Sequence, residues 1–69
     1  MYDLGMNIAQ NIKTLRKEMK LTQKELADQV GVTQQCVSDW ENGKIEPTIS
    51  YVAKMAKIFK VTIDNLVFD

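Results

Sequence analysis

Thr22-Gln-Lys-Glu-Leu-Ala-Asp-Gln-Val-Gly-Val-Thr-Gln-Gln-Cys-Val-Ser-Asp-Trp-Glu-Asn-Gly43 holds two helix-length segments on either side of a glycine. Thr22 with Glu25 three residues later has the spacing of a capping box, in which hydroxyl and carboxylate each bond the other's backbone N–H. Gly31 supplies the stop, because glycine enters the left-handed region at little cost. Thr33 is placed to cap the next segment, whose end is marked by Asn42-Gly43. Leu26, Ala27 and Val30 form a stripe on the first helix, Val37 and Trp40 one on the second, and Val32 fills the corner. Neither stripe can be buried by its own helix, so the pair needs a scaffold.

The flanks supply it. Ile8, Ile12, Leu15 and Met19 recur at helical spacing and predict a helix from about Asn7 to Met19, with Asn7 and Gln10 as a capping pair. After the loop Lys44-Ile45-Glu46-Pro47, Thr48 is placed to cap a helix whose apolar face is Ile49, Val52, Met55, Ala56 and Phe59. Thr62 then caps a last short helix containing Ile63 and Leu66. Five short helices on one core is the consistent reading.

Composition narrows the function. With 69 residues the chain is one domain near the lower size limit for a core without disulfides or metal, which argues against a large enclosed cleft. Cys36 is the single cysteine and there is no histidine, so a structural zinc site has no ligand set, no cofactor is implied, and a reducing cytoplasm fits best. Met1 to Gly5 has no basic run leading into an apolar stretch, and no membrane-length apolar run occurs, so neither secretion nor insertion is expected. Nine Lys+Arg balance nine Asp+Glu, which excludes a protein that coats nucleic acid by net charge alone. Basic residues do gather at Lys13, Arg16, Lys17, Lys20 and Lys24 and at Lys54, Lys57 and Lys60; solvated helical faces account for that spacing equally well.

Ile12-x-x-Leu15-Arg16, Leu21-Thr-Gln-Lys-Glu-Leu-Ala27, Gly31-Val-Thr-Gln-Gln35, Trp40-Glu-Asn-Gly-Lys44, Pro47 and Val61-Thr-Ile-Asp-Asn-Leu66 together resemble the Cro/C1-type helix-turn-helix family, which includes lambdoid phage repressors. The resemblance runs from about Ile8 to Leu66. It implies an all-α, five-helix, lambda-repressor-like DNA-binding domain over 1–69 with its core at about 8–66. It further implies a sequence-specific regulator of transcription, a repressor, whose recognition helix at about 34–42 enters the major groove while the start of the second helix and the loop after the third grip phosphates.

Side-chain chemistry agrees with that assignment. Gln34 and Gln35 stand at the N-terminal end of the recognition helix, where an amide donates and accepts together and so fits adenine N6/N7; Ser38 lies one turn on, with Asp39 beside it. Outside this motif they would read as polar side chains that merely keep the helix solvated. Thr22, Gln23, Asn42 and Lys44 are the candidate phosphate contacts, Gln23 at the positive end of its helix. Thr22 and Asn42 also serve as caps, and Lys44 as a solvated charge. In similar proteins Gln23 also supports the first glutamine of the recognition helix. Arg16 and Glu41 match positions that in similar repressors form a largely buried ion pair, a structural role. Trp40 is read as core rather than as a base-stacking platform, and Cys36 as a packed thiol.

Three departures from the family pattern have consequences. Lys20 falls where glycine or asparagine often ends the first helix, and a left-handed lysine costs on the order of 1 kcal/mol. The loop Ile45-Glu46-Pro47 lacks an arginine for the minor groove. Asp39 places negative charge near the DNA face, where it either weakens binding or accepts from cytosine N4. Operator binding calls for a homodimer on half-sites ~34–36 Å apart. Leu66, Val67 and Phe68 are the apolar candidates for its interface; Phe68 covering the core within one chain is the alternative. A different class of function, a protein-interaction module such as an antitoxin or accessory factor, uses the same fold and separates from DNA binding by its salt response. An enzyme is not expected, since no nucleophile sits beside a base and no glycine-rich phosphate loop is present.

Overall fold

The computed structural model describes residues 7–68. Residues 1–6 and Asp69, which the expected 1–69 domain includes and on which the reading of the N-terminus rests, lie outside the described residues. Five helices follow in order: α1 (Ile8–Glu18), α2 (Gln23–Val30), α3 (Gln34–Glu41), α4 (Ile49–Phe59) and α5 (Ile63–Phe68). The described residues contain no strand. α2 packs chiefly on α3, α1 on α3 and α5, and α4 on α5 and α2.

The core is Ile8, Ile12, Leu26, Ala27, Val30, Val37, Trp40, Val52, Met55, Ala56, Phe59 and Leu66. Val32 and Cys36 are half-buried against it, and Trp40 is buried with its ring centroid 5.5 Å from that of Tyr51. Two expected apolar positions depart from the sequence reading. Met19 lies beyond the end of α1 and is exposed, while Arg16 takes the buried position on that face. Ile49, in the first turn of α4, is 69% exposed, and the residues of that helix packed on the core begin at Tyr51.

Capping explains why the elements begin where they do. Thr22 and Glu25 form a complete capping box, Thr33 accepts from the Cys36 N–H at 3.1 Å, and Thr62 accepts from the Asn65 N–H at 3.0 Å. Asn7 and Thr48 occupy N-cap positions without side-chain cap bonds, so the expected Asn7–Gln10 box does not form; Gln10 donates to Thr14 instead. The Asn7 N–H donates to the Val67 carbonyl at 2.8 Å, and the Asn11 amide to the Leu66 carbonyl at 2.9 Å. These two bonds pin the end of α5 against the start of α1.

All four longer-range helix stops use one device. Leu21 N–H donates to Arg16 O, Val32 to Ala27 O, Lys44 to Asp39 O and Val61 to Ala56 O, each bond reaching back five residues. The residue before each donor is left-handed: Lys20 (φ 59), Gly31 (φ 91), Gly43 (φ 74) and Lys60 (φ 60). This is the Schellman closure, which satisfies carbonyls that the helix leaves open. Asn42 itself stays right-handed, so within the Asn42-Gly43 pair only glycine makes the left-handed step. Two of the four sites carry a lysine where glycine relieves strain. Lys20→Gly and Lys60→Gly are each expected to raise stability by about 1 kcal/mol; thermal melts showing no gain for either variant would refute the strain argument.

Candidate nucleic-acid interface

α3 carries the most distinctive surface. At about 100° per residue, Gln34, Gln35, Ser38, Asp39 and Asn42 fall within an arc of about 140°, while Val37 and Trp40 occupy the opposite side and are buried. Gln34, Gln35 and Asn42 are exposed; Ser38 and Asp39 are half-buried. Eight residues make a rod ~12 Å long, and a helix of ~10–12 Å diameter is admitted by the B-DNA major groove at ~12 Å.

What holds this rod in place is Glu41, at the end of α3. Its carboxylate accepts from Arg16 Nε at 2.6 Å, from Arg16 Nη2 at 3.1 Å and from Gln23 Nε2 at 3.1 Å. Arg16 Nη1 donates to the Leu21 carbonyl at 2.8 Å. The side chains are 10% and 2% exposed. One ion pair thus ties α1, the α1–α2 turn, the start of α2 and the end of α3. Burial pushes the Glu41 carboxyl up, but the hydrogen bonds from Arg16 and Gln23 and the charges of Arg16 and Lys13 outweigh it, leaving its pKa lowered. The Arg16 pKa is raised, first by its bond to Glu41.

That network alters the expected role of Gln23. Its amide donates to Glu41, and among the described residues it has no bond to Gln34. The start of α2 is also partly filled: the Thr22 hydroxyl accepts from the Glu25 N–H at 3.0 Å, and the Thr22 N–H donates to Glu25 Oε1 at 2.8 Å. A carboxylate therefore already sits at the positive end of the helix dipole, leaving the N–H groups of the first two helical residues for a phosphate. The Thr22 hydroxyl keeps its own proton to donate. Lys44 is exposed after the left-handed Gly43, beyond the end of α3.

Two bonds on the α3 surface were open to sequence reasoning by their i,i+4 spacing and were missed. Gln35 Nε2 donates to Asp39 Oδ1 at 3.0 Å, and Asn42 Nδ2 to Ser38 Oγ at 3.3 Å. Gln34 has no side-chain bond among the described residues.

Of the expected dimer residues, Leu66 is corrected. Leu66 is fully buried in the core, because the short α5 turns its single inward position there, and it offers nothing to a second chain. Val67 is half-buried against the core, its carbonyl engaged by Asn7. Phe68 is 53% exposed and does not cover the core. Besides Phe68, the most exposed large apolar side chains among the described residues are Ile45 and Ile49, and Ile49 lines an apolar groove of about 260 Å³ with Ile8, Glu46, Pro47, Val52 and Val67.

A family model described as helix-turn-helix matches residues 12–66. The HTH-type transcriptional activator BcrR of Enterococcus faecalis is 38% identical over 61 residues, covering 88% of this chain and 30% of that protein. YqaE of Bacillus subtilis, an HTH-type transcriptional regulator, is 34% identical over 84% of this chain and 50% of its own length. The chain thus spans half or less of these two relatives. Among solved structures, the P22 c2 repressor in complex with a synthetic operator is similar at a TM-score of 0.81 with 29% identity, over 86% of this chain and 89% of that one.

Proposed function

The chain belongs to the helix-turn-helix family, and from that premise we propose that it is a sequence-specific double-stranded-DNA-binding regulator of transcription rather than an enzyme. The observation that carries the reading is the α3 stripe, five polar side chains on one face of a rod anchored at its C-terminal end by the Arg16–Glu41 pair. In this reading Gln34, Gln35, Ser38 and Asp39 face base edges. Thr22, Gln23, Asn42 and Lys44 contact phosphates, with Gln23 using what its bond to Glu41 leaves free. The similarity to an operator-bound repressor supports the docking mode. Occupancy alone suffices to block a promoter, so repression is the mode proposed.

A single copy offers few cations to the backbone near α3, and phosphate neutralisation supplies most of the affinity. Two copies on a pseudo-palindrome double both terms. The exposed Ile45, Ile49 and Phe68 are the apolar surface proposed for that homodimer.

Selection against a random duplex pool, followed by titration of the enriched sequence against salt, tests the reading. The expected result is a pseudo-palindrome with log K falling by about 0.9 per neutralised phosphate for each unit of log salt. Gln34→Ala should then cost about 1–3 kcal/mol of discrimination at one base pair with an unchanged melting temperature. Absence of enrichment even at low salt would overturn DNA binding and favour a protein partner.

A further inference from the structure

Asp39 is the one acidic side chain on the α3 stripe, and it is already half-buried before any partner arrives. Docked in a groove lined by phosphates, its carboxylate loses water and needs hydrogen-bond donors in exchange. Gln35 supplies one, through Nε2 at 3.0 Å. The same bond spends one of the two N–H groups of Gln35 and leaves its carbonyl oxygen free. The pair therefore presents two acceptors, Asp39 Oδ2 and Gln35 Oε1, with a single remaining N–H. Across the major groove only cytosine N4 and adenine N6 are donors; guanine N7 and O6 and thymine O4 are acceptors.

We propose that Gln35 and Asp39 read DNA as one coupled unit that selects a base carrying an exocyclic amine in the major groove and rejects guanine and thymine edges there. This rests on the DNA-binding reading above. Asp39 has two effects in it: it accepts from the amine, and it fixes the orientation of the Gln35 amide, which without the bond rotates freely to offer either its donor or its acceptor end. The negative charge also lowers affinity for all the sequences that cannot supply a donor, so specificity is gained by excluding wrong sites.

The test compares the full chain with Asp39→Asn, Gln35→Ala and the double variant in selections from one random duplex pool, with melting curves for each. The expected parent preference is adenine or cytosine at one position of each half-site. Asp39→Asn, isosteric and able to donate, should admit guanine or thymine there, losing about 10-fold in discrimination as one good base contact is worth, while other positions and the melting temperature hold. The double variant should lose no more than either single one, because the pair acts as a unit. Uniformly tighter binding of Asp39→Asn with an unchanged preference would overturn the coupled readout and leave DNA binding intact. Enrichment of nothing by the parent would overturn both.

Discussion

Glu41→Ala is expected to abolish DNA binding by unfolding the domain. The substitution leaves the Arg16 guanidinium, 8% exposed as a residue, without its carboxylate and with only the Leu21 carbonyl as partner. It also leaves the Gln23 amide unpaired. Removing one member of a buried pair typically costs ~3–5 kcal/mol, a large share of the ~5–15 kcal/mol that holds a native domain. The measurement is a thermal or urea melt followed by Trp40 fluorescence, since that ring sits in the core one residue away. A Glu41→Ala protein that melted like the parent yet failed to bind would contradict the structural role.

The same pair sets an acid limit. The folded-state pKa of Glu41 is lowered, so the unfolded chain binds the proton more readily and stability rises with pH through that range. The contribution is fully present above the ordinary carboxylate value of about 4.3 and is lost as pH falls through the lower folded value. Glu41→Gln, which cannot ionise, should start less stable at neutral pH and show a flatter acid limb. Parallel pH profiles of the two melting temperatures would remove Glu41 as the source.

Local chemistry was legible in the sequence, and long-range choices were less so. Thr22, Glu25, Thr33, Gly31 and Gly43 act within four residues of themselves, so their spacing alone predicts the caps that the structure contains. Ile49 and Met19 obey the helical period and are nevertheless exposed, because a period names a face without saying where along its length a neighbour makes contact. Thr48 has the identity and backbone of a cap but makes no cap bond. On α3, sequence identified the side chains that face outward but missed that they bond one another, although Gln35–Asp39 and Ser38–Asn42 sit at the spacing where such pairs form. The consequence is chemical: Gln34 presents an amide without a side-chain bond among the described residues, whereas that of Gln35 is already bonded to Asp39.

Leu66 and Phe68 separate what holds the domain from what joins two of them. Leu66→Ala empties a fully buried position in a core of twelve residues and is expected to cost about 2–5 kcal/mol. In a domain of this size each kcal/mol lowers the melting temperature by roughly 4–8 °C, so the loss should exceed about 8 °C. Phe68→Glu removes no core contact, and at low protein concentration its melt should follow the parent. At high micromolar concentration the parent should sediment as a dimer and Phe68→Glu as a monomer, since the substitution places a charge in the apolar surface that Ile45, Ile49 and Phe68 expose. A parent that stays monomeric there would sink the dimer while leaving the fold argument untouched; a Leu66→Ala protein as stable as the parent would sink the packing of α5. The two variants are two residues apart on one short helix, so opposite outcomes follow only if α5 turns Leu66 inward and leaves Phe68 to solvent.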